Sequence, residues 1–136
     1  MTPTPQLFPL KKLGDDSIGF LSIAENKALP FPVKRVYWTY LTPTTIIRGH
    51  HAHYELDQLI FAVNGSIRFE LEWPGGHRAT VELTDPSQGL LVPRLCWHTM
   101  TFTEGAVLLS LASEEYQEAD YIRDYEVFRA LPPITQ

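Results

Sequence analysis

The sequence contains a single cysteine, Cys96, among 136 residues, and it is poor in positive charge. One thiol cannot form an intramolecular disulfide, which excludes a disulfide framework and favours a reducing compartment. Eleven Lys and Arg residues against sixteen Asp and Glu residues give a net charge of -5, which argues against nucleic-acid binding through phosphate neutralisation. A small anionic ligand remains compatible with this balance, because it needs only two or three local positive charges.

Long apolar runs are also lacking, since every hydrophobic segment is interrupted before the roughly 20 residues that a membrane-spanning helix needs. Residues 1–6 show no basic stretch followed by an apolar one, so they do not resemble a secretory signal. We therefore expect a cytoplasmic protein without a membrane association. A hydrophobic fraction of 44% and this length predict one globular domain over residues 1–136.

Eleven prolines and eight glycines separate short segments that are rich in β-branched and aromatic residues. Such segments predict strands at 18–24, 33–41, 56–63, 66–73, 78–83, 89–92, 99–102 and 106–111. Within 67–73 every second residue is apolar, as in a half-buried strand. Asn64-Gly65 predicts a type I′ hairpin, and Pro74-Gly75-Gly76 predicts a second turn. The pattern indicates an all-β sandwich or barrel.

The last part of the chain differs from the rest. Residues 114–131 are rich in Glu, Ala, Tyr and Arg, and Ser113 followed by acidic residues is typical of a helix N-cap. Apolar residues recur there at intervals of three and four. We predict a short C-terminal helix, packed on the barrel or on a partner chain and ended by Pro132-Pro133.

Four of the five histidines fall in two short segments, 48–58 and 89–98. Because residues two apart on a strand share a face, His51 and His53 are predicted to point together, with His50 directed away from them. Two adjacent polar rings are costly to bury for packing alone, which favours a functional role for the pair. For His98 taken alone, a hydrogen-bonded core histidine is an equally good interpretation. His50 and His77 are expected at the surface.

The order His-x-His, four residues, Gln, six residues, Gly at positions 51–65 resembles the first motif of the cupins. Pro93, with His98 five residues later, resembles the second motif. This resemblance implies an all-β cupin jelly-roll barrel that gathers His51, His53, Gln58 and His98 at one site.

Many cupins carry a carboxylate where this chain has Gln58, and three histidines with a carboxylate suit iron, manganese or zinc. An amide is a weaker, neutral ligand that leaves the charge of the ion uncompensated. The sequence therefore favours a site without metal or other cofactor. Neutral histidines near pH 7 are instead suited to taking up and returning a proton.

Five segments closely resemble the sugar-nucleotide 3,4-ketoisomerases, which are metal-free members of the cupin superfamily. They are Arg-Val-Tyr-Trp at 35–38, Arg-Gly-His-His-Ala-His at 48–53, Trp-His at 97–98, Leu-Ala-Ser-Glu-Glu-Tyr at 111–116 and Ala-Asp-Tyr-Ile-Arg-Asp-Tyr at 119–125. The resemblance runs from about residue 13 to residue 128. It implies that the ketone of a dTDP-linked 4-keto-6-deoxy sugar moves from carbon 4 to carbon 3 through an enediol.

The resemblance also implies roles for single residues. His51 and His53 would transfer protons, with His53 favoured as the principal base, and Tyr37 would be a hydrogen-bond partner or acid. Arg48 and Arg35 are candidates for the pyrophosphate, because a guanidinium binds phosphate in a bidentate manner; a surface salt bridge is an equally good interpretation for Arg35. Further candidate substrate contacts are Gln58, His98, Ile18 and Trp97.

One position departs from the family pattern, which often has arginine where this chain has Ile18. In the family this position and that of His98 are linked to the configuration at carbon 4. The sequence therefore does not decide between a galacto-configured product, a gluco-configured product and a different sugar. The family also implies a homodimer that exchanges strands, and the Tyr-Ile-Arg-Asp-Tyr segment at 121–125 is interpreted mainly as packing. Two alternatives remain: a metal-dependent cupin such as a dioxygenase, and a sugar-nucleotide binding module without catalysis.

Overall fold

Residues 4–133, which the computed structural model describes, form strands, two short 3-10 turns and one helix. The strands, in chain order, are β1 (Gln6–Pro9), β2 (Lys11–Asp15), β3 (Gly19–Ile23), β4 (Arg35–Thr39), β5 (Arg48–His53), β6 (Gln58–Asn64), β7 (Ile67–Trp73), β8 (His77–Leu83), β9 (Gln88–Val92), β10 (Trp97–Phe102), β11 (Val107–Ala112) and β12 (Tyr121–Ile122). The 3-10 turns are Asn26–Ala28 and Glu118–Asp120, and the helix α1 is Tyr125–Arg129.

Ten of these strands form two antiparallel sheets. The first sheet has the order β1-β9-β6-β11-β4 and the second the order β12-β5-β10-β7-β8, while β2 and β3 pair only with each other. The main apolar core contains residues from both sheets, among them Ile60 and Leu90 of the first and Phe69 and Met100 of the second. Burial of this shared apolar surface holds the sheets together. The arrangement is the expected all-β cupin jelly roll with a short C-terminal helix.

The outer faces of the sheets are also partly covered. Leu59, Phe61 and Leu91 of the first sheet pack against Phe8 and Phe31, which precede β4. This second layer explains why the first five residues of β6 are all buried. A strand covered on both faces carries a continuous apolar run rather than an alternating one.

The turn at Asn64-Gly65 is not the predicted hairpin. The strands on either side, β6 and β7, lie in different sheets, and Gly65 has a φ of +67° whereas Asn64 is not in the left-handed region. Asn64 donates a side-chain hydrogen bond to the carbonyl of Gly105 at 2.8 Å. The segment is a corner that carries the chain from one sheet to the other. The predicted turn at 74–76 does join a hairpin, β7 to β8.

Each of the eight predicted strands overlaps an observed strand, and β7 alternates between buried Ile67, Phe69 and Leu71 and exposed Arg68 and Glu70 as predicted. The eight predicted ranges do not include β1, β2, β5 or the two-residue β12, although the spacing of His51 and His53 was interpreted as that of a strand. Pro in β1 and Lys, Gly and Asp in β2 have low strand propensity, so pairing with β9 and with β3, respectively, determines the structure of these two segments.

The C-terminal helix is much shorter than predicted, and its start was wrong. The Ser113 hydroxyl accepts a hydrogen bond from the Asp57 backbone amide instead of capping a helix. The true N-cap is Asp124, whose carboxylate accepts from the Glu126 amide at 2.9 Å. Phe128 of α1 packs with Ala52 and Ile122 on the outer side of the second sheet. No helix within residues 4–133 is long and apolar enough to cross a membrane.

Candidate active site

Three histidine rings lie together where β5 and β10 run side by side. His51 pairs with His98 across these strands, and the centres of their rings are 4.7 Å apart. The ring of His53 is 5.0 Å from that of His51 and 6.1 Å from that of His98. The structure thus brings together the three histidines that the two sequence motifs suggested, whereas His50 and His77 are exposed.

A β-bulge in β5 sets the orientation of His51. The pairing with β10 shifts between His51 and Gly49, and Gly49 and His50 both have positive φ values, +97° and +60°. In this bulge Nδ1 of His51 lies 3.0 Å from the carbonyl oxygen of Gly49. A carbonyl can only accept, so Nδ1 carries the proton and Nε2 keeps a free lone pair.

His98 is fixed in the same way. Its Nδ1 lies 3.1 Å from the carbonyl oxygen of Cys96, two residues earlier, so Nδ1 donates and Nε2 is unprotonated. By contrast, Nε2 of His53 is buried and has no hydrogen-bond partner among residues 4–133. His51 and His98 are therefore held by backbone carbonyls, and His53 depends on its neighbouring rings.

All three histidines are neutral near pH 7. Burial, which disfavours a charged ring, lowers the pKa of His51 to about 3 and that of His53 to about 2, and the nearby His98 adds to both effects. Burial likewise lowers the pKa of His98. A neutral imidazole with a free lone pair is a proton acceptor, so this cluster can act in acid–base chemistry.

Tyr37 is placed beside the histidines by β4, on which Arg35, Tyr37 and Thr39 face inward and Val36 and Trp38 face outward. Burial raises the pKa of Tyr37 above its usual value, so the phenol stays protonated. The Gln58 side-chain amide donates to the Tyr37 hydroxyl oxygen at 2.5 Å. The phenol proton is consequently available for a hydrogen bond to another acceptor.

A cleft of about 230 Å³ opens between the sheets at this point. It is lined by Arg35, Tyr37, Thr39, Arg48, Gly49, His51, Ile60, His98, Met100, Leu108 and Tyr121. The two arginines give the cleft a positive charge. The guanidinium of Arg35 also lies over the rings of Tyr37 and Tyr116, at 5.4 and 5.7 Å from their centres. The lining combines two guanidinium groups, two phenols and two imidazoles, which suits a polar anionic ligand.

Buried polar atoms around the cleft support that interpretation. Nε of Arg35, Nε2 of His53 and Oε1 of Gln58 are buried and have no hydrogen-bond partner among residues 4–133. An unsatisfied buried polar atom is costly and rare, and three of them around one cleft are consistent with a polar ligand binding there. Within the same residues, no group of three or more His, Cys, Asp and Glu side chains is arranged to hold a metal ion.

Three candidate substrate contacts from the sequence do not line the cleft. Trp97 lies on the other face of β10 from His98 and packs against Tyr125 and Phe128, because successive strand residues point to opposite faces. Gln58 is 2% exposed and supports Tyr37. Ile18 is 81% exposed at the tip of the β2–β3 hairpin, which pairs with no other strand among the described residues.

The sequence reasoning missed Tyr121 as a site residue. It was assigned to a packing helix, but β12 pairs with β5 so that Tyr121 stands opposite His53. Its ring lies 4.4 Å from the ring of His53 and 5.2 Å from that of His51. Two residues of high strand propensity, Tyr121 and Ile122, stand two residues before the N-cap Asp124, and this is the signal that could have indicated a short strand there.

Comparison with known proteins supplies the family. The family described as "FdtA: WxcM-like, C-terminal" matches residues 4–132. The TDP-4-oxo-6-deoxy-alpha-D-glucose-3,4-oxoisomerase of Aneurinibacillus thermoaerophilus is 40% identical over 120 residues, which are 88% of this chain and 86% of that protein. The chain belongs to the sugar 3,4-ketoisomerase family.

Solved structures of other members agree with this assignment. The ketoisomerase QdtA of Thermoanaerobacterium thermosaccharolyticum was solved as a histidine variant in complex with TDP-4-keto-6-deoxyglucose. It is 41% identical to this ketoisomerase-family chain, with a TM-score of 0.87, and the match covers 94% of this chain and 93% of QdtA. The TDP-quinovose 3,4-ketoisomerase WlaRB of Campylobacter jejuni is 36% identical with a TM-score of 0.84, covering 91% and 95%. This family member therefore shares the whole fold, not only the motifs, with both enzymes.

Proposed function

We propose that this protein converts a dTDP-linked 4-keto-6-deoxyhexose into its 3-keto isomer. The observation that carries the proposal is a cluster of three neutral histidines, two of which, His51 and His98, line a cleft together with Arg35 and Arg48. Histidines provide the proton transfer, and the arginines match the diphosphate of a sugar nucleotide. The family to which the chain belongs supports the same reaction.

The reaction exchanges protons between two adjacent carbons. The proton on carbon 3 is acidified by the ketone at carbon 4, and a histidine removes it to give an enediolate. The oxygen on carbon 4 gains a proton and becomes a hydroxyl, while the hydroxyl on carbon 3 loses its proton and becomes the ketone. The histidine then returns its proton to carbon 4, so no atom is gained or lost.

His51 is the better candidate for the base than His53, which the sequence favoured. His51 lines the cleft, and its Nδ1–H bond to Gly49 leaves Nε2 as the free acceptor. His53 is 4% exposed and stands beside His51, where it can share the proton or orient the sugar. Tyr37, which stays protonated, can donate a hydrogen bond to the oxygen that becomes negatively charged in the enediolate.

A pKa of about 3 for His51 in the ligand-free protein is low for a base, but a bound diphosphate changes the local charge. Negative charge near an imidazole stabilises the imidazolium and raises its pKa. Substrate binding is thus expected to bring His51 closer to the operating pH, where a base is most effective. The positive charge of Arg35 and Arg48 would be compensated by the same diphosphate.

The test is incubation with dTDP-4-keto-6-deoxyglucose in D₂O, followed by NMR of the sugar. We expect deuterium at carbon 3 of the substrate and carbon 4 of the product, with the protein dialysed against EDTA. His51→Asn should lower the rate by about a hundredfold or more and still bind dTDP. His50→Asn, in the same strand but exposed, is the matched control and should keep the rate. Lack of both exchange and isomerisation by the wild type would refute the reaction.

We further propose a homodimer that exchanges the β2–β3 hairpin. The hairpin exposes Leu13, Ile18, Phe20 and Leu21, and β4 is an edge strand that exposes Val36 and Trp38. An apolar hairpin and an unpaired apolar edge are complementary surfaces. In such a dimer Ile18 could approach the partner's cleft, where it would influence the configuration at carbon 4. Sedimentation equilibrium tests this: Phe20→Asp should shift a dimer to monomer, and a monomeric wild type would contradict it.

The cytoplasmic location and the single domain over residues 1–136 stay predictions. Residues 1–3 and 134–136 lie outside the described part of the chain. The configuration of the product follows from a parallel incubation in H₂O, because the coupling between the protons on carbons 4 and 5 distinguishes a galacto from a gluco sugar.

A further inference from the structure

The tail segment around Tyr121 contacts the histidine cluster but has no role in the reaction described so far. Tyr121 lies opposite His53 in the β12–β5 pair and lines the cleft. Its ring is the nearest aromatic neighbour of His53, at 4.4 Å with an interplanar angle of 64°. Edge-to-face contacts of this kind are directional, so they favour one ring orientation over others.

The orientation of the His53 ring depends on such a contact more than the orientations of the other two histidine rings do. Carbonyl groups fix the rings of His51 and His98, whereas Nε2 of His53 has no partner among residues 4–133. An imidazole can turn about χ2 with a broad preference, and only its surroundings then select one orientation. For His53 these surroundings are the rings of His51, His98 and Tyr121.

Tyr121 is itself held from the solvent side. The guanidinium of Arg123 lies 4.1 Å from the centre of its ring. Glu118 binds that guanidinium through both carboxylate oxygens, at 2.8 and 2.9 Å. Glu118 also accepts a hydrogen bond from the Tyr116 hydroxyl at 3.0 Å. A bidentate ion pair combined with a cation–π contact restrains a ring that would otherwise move at the surface.

We propose that Tyr121 is a positioning residue, which holds the His53 ring in its working orientation, and that Arg123 and Glu118 hold Tyr121. The ring, not the hydroxyl, carries this role, because the contact with His53 is between rings. The effect on turnover rests on the proposed ketoisomerase reaction. The orientation of His53 does not, and it can be observed without any substrate.

The chain offers a matched control in the same tail. Tyr125 on α1 lies under Arg129, with 5.9 Å between guanidinium and ring, and Arg129 pairs with Glu126 at 3.7 Å. Tyr125 packs against Trp97 and Phe128, on the outer side of the second sheet. Tyr125→Leu thus disturbs a similar tyrosine and a similar ion pair without touching the histidines.

The experiment compares Tyr121→Leu, Tyr121→Phe and Tyr125→Leu. Tyr121→Leu should lower kcat by about tenfold with little change in KM, and Tyr121→Phe should keep kcat near that of the wild type. By NMR, the His53 ring signals should be one sharp set in the wild type, Tyr121→Phe and Tyr125→Leu, and doubled or broadened in Tyr121→Leu. An unchanged single set in Tyr121→Leu, or the same broadening in Tyr125→Leu, would overturn the proposal.

A second pair covers the case in which Tyr121→Leu does not fold. Arg123→Gln should broaden the His53 signals and lower kcat by about two- to threefold, whereas Arg129→Gln should do neither. Equal behaviour of these two variants would contradict the role given to Arg123 and Glu118. If the wild type does not turn over the sugar, the proposed function is wrong, but the NMR comparison still tests whether Tyr121 orients the His53 ring.

Discussion

The neutral histidine cluster makes the stability of the protein depend on pH in a defined window. His51, His53 and His98 have lowered pKa values in the folded state, and an ordinary value of 6.5 applies when they are exposed by unfolding. Below pH 6.5 the unfolded chain therefore binds protons that the folded chain does not. Stability is complete above pH 6.5 and decreases as the pH falls from there towards the folded pKa values.

The magnitude follows from linkage. At pH 5.5 each of these histidines carries about 0.9 proton in the unfolded chain, and His51 and His53 carry almost none in the folded chain. Lowering the pH from 6.5 to 5.5 then costs about 1 kcal/mol for each of these two, or about 2 kcal/mol together, and the lowered pKa of His98 adds to the loss in the same direction. Carboxylates contribute little in this window, because Asp15, Glu70, Asp85 and Glu118 have pKa values lowered from 3.8 or 4.5.

The assay is urea unfolding at pH 6.5 and 5.5, at one protein concentration so that any dimer equilibrium is held constant. His51→Asn with His98→Asn is the informative variant, since the asparagine amide can keep the hydrogen bonds to Gly49 and Cys96 while the titrating group is removed. At least about 1 kcal/mol of the pH effect, the share of His51, should disappear. A wild type that loses less than about 1 kcal/mol, or a double variant that keeps the whole loss, would refute the reasoning.

Three further predictions concern the site and its support. Gly49→Ala should destabilise the fold by at least about 2 kcal/mol in urea unfolding, because the Cβ of the alanine would lie 2.6 Å from the His98 carbonyl oxygen. Gly76 also has a positive φ but open space around it, so Gly76→Ala should cost about 1 kcal/mol in the same measurement. Adding dTDP should raise the pKa of His51 in an NMR titration, and an unchanged value would argue against diphosphate near the ring. Phe69→Ala, in the core, should cost about 3–5 kcal/mol in the same unfolding assay, with little loss implying a loosely packed core.

The sequence was a good guide where local pattern and tertiary structure agree. Alternation in 67–73 predicted β7, and the two-residue spacing of His51 and His53 predicted their common face. Predictions from the sequence were wrong where contacts with residues far away in the chain determine the local structure. Asn64-Gly65 has the composition of a hairpin, but β6 pairs with β9 and β11. Ser113 has the composition of an N-cap, but its hydroxyl bonds to Asp57.

The residue types that form the site were easier to predict than the role of each residue in it. Histidines and arginines are recognisable by chemical type, and they do lie around one cleft. Which side chain faces the cleft depends on register and bulges, which no local pattern encodes. The bulge at Gly49 and His50 gives His51 its carbonyl partner, and the pairing of β12 brings in Tyr121.

The pairing of β12 with β5 also has a consequence during synthesis. Without β12, the strand that carries both histidines would present an open edge, which can pair with other chains. About 70 residues separate His53 from Tyr121, so a ribosome working at roughly 5–20 residues per second synthesises β12 roughly 3–14 s after β5. A nascent chain therefore exposes this edge for seconds, and the pairing that finally covers its His53 end is also the one that brings Tyr121 to the histidines.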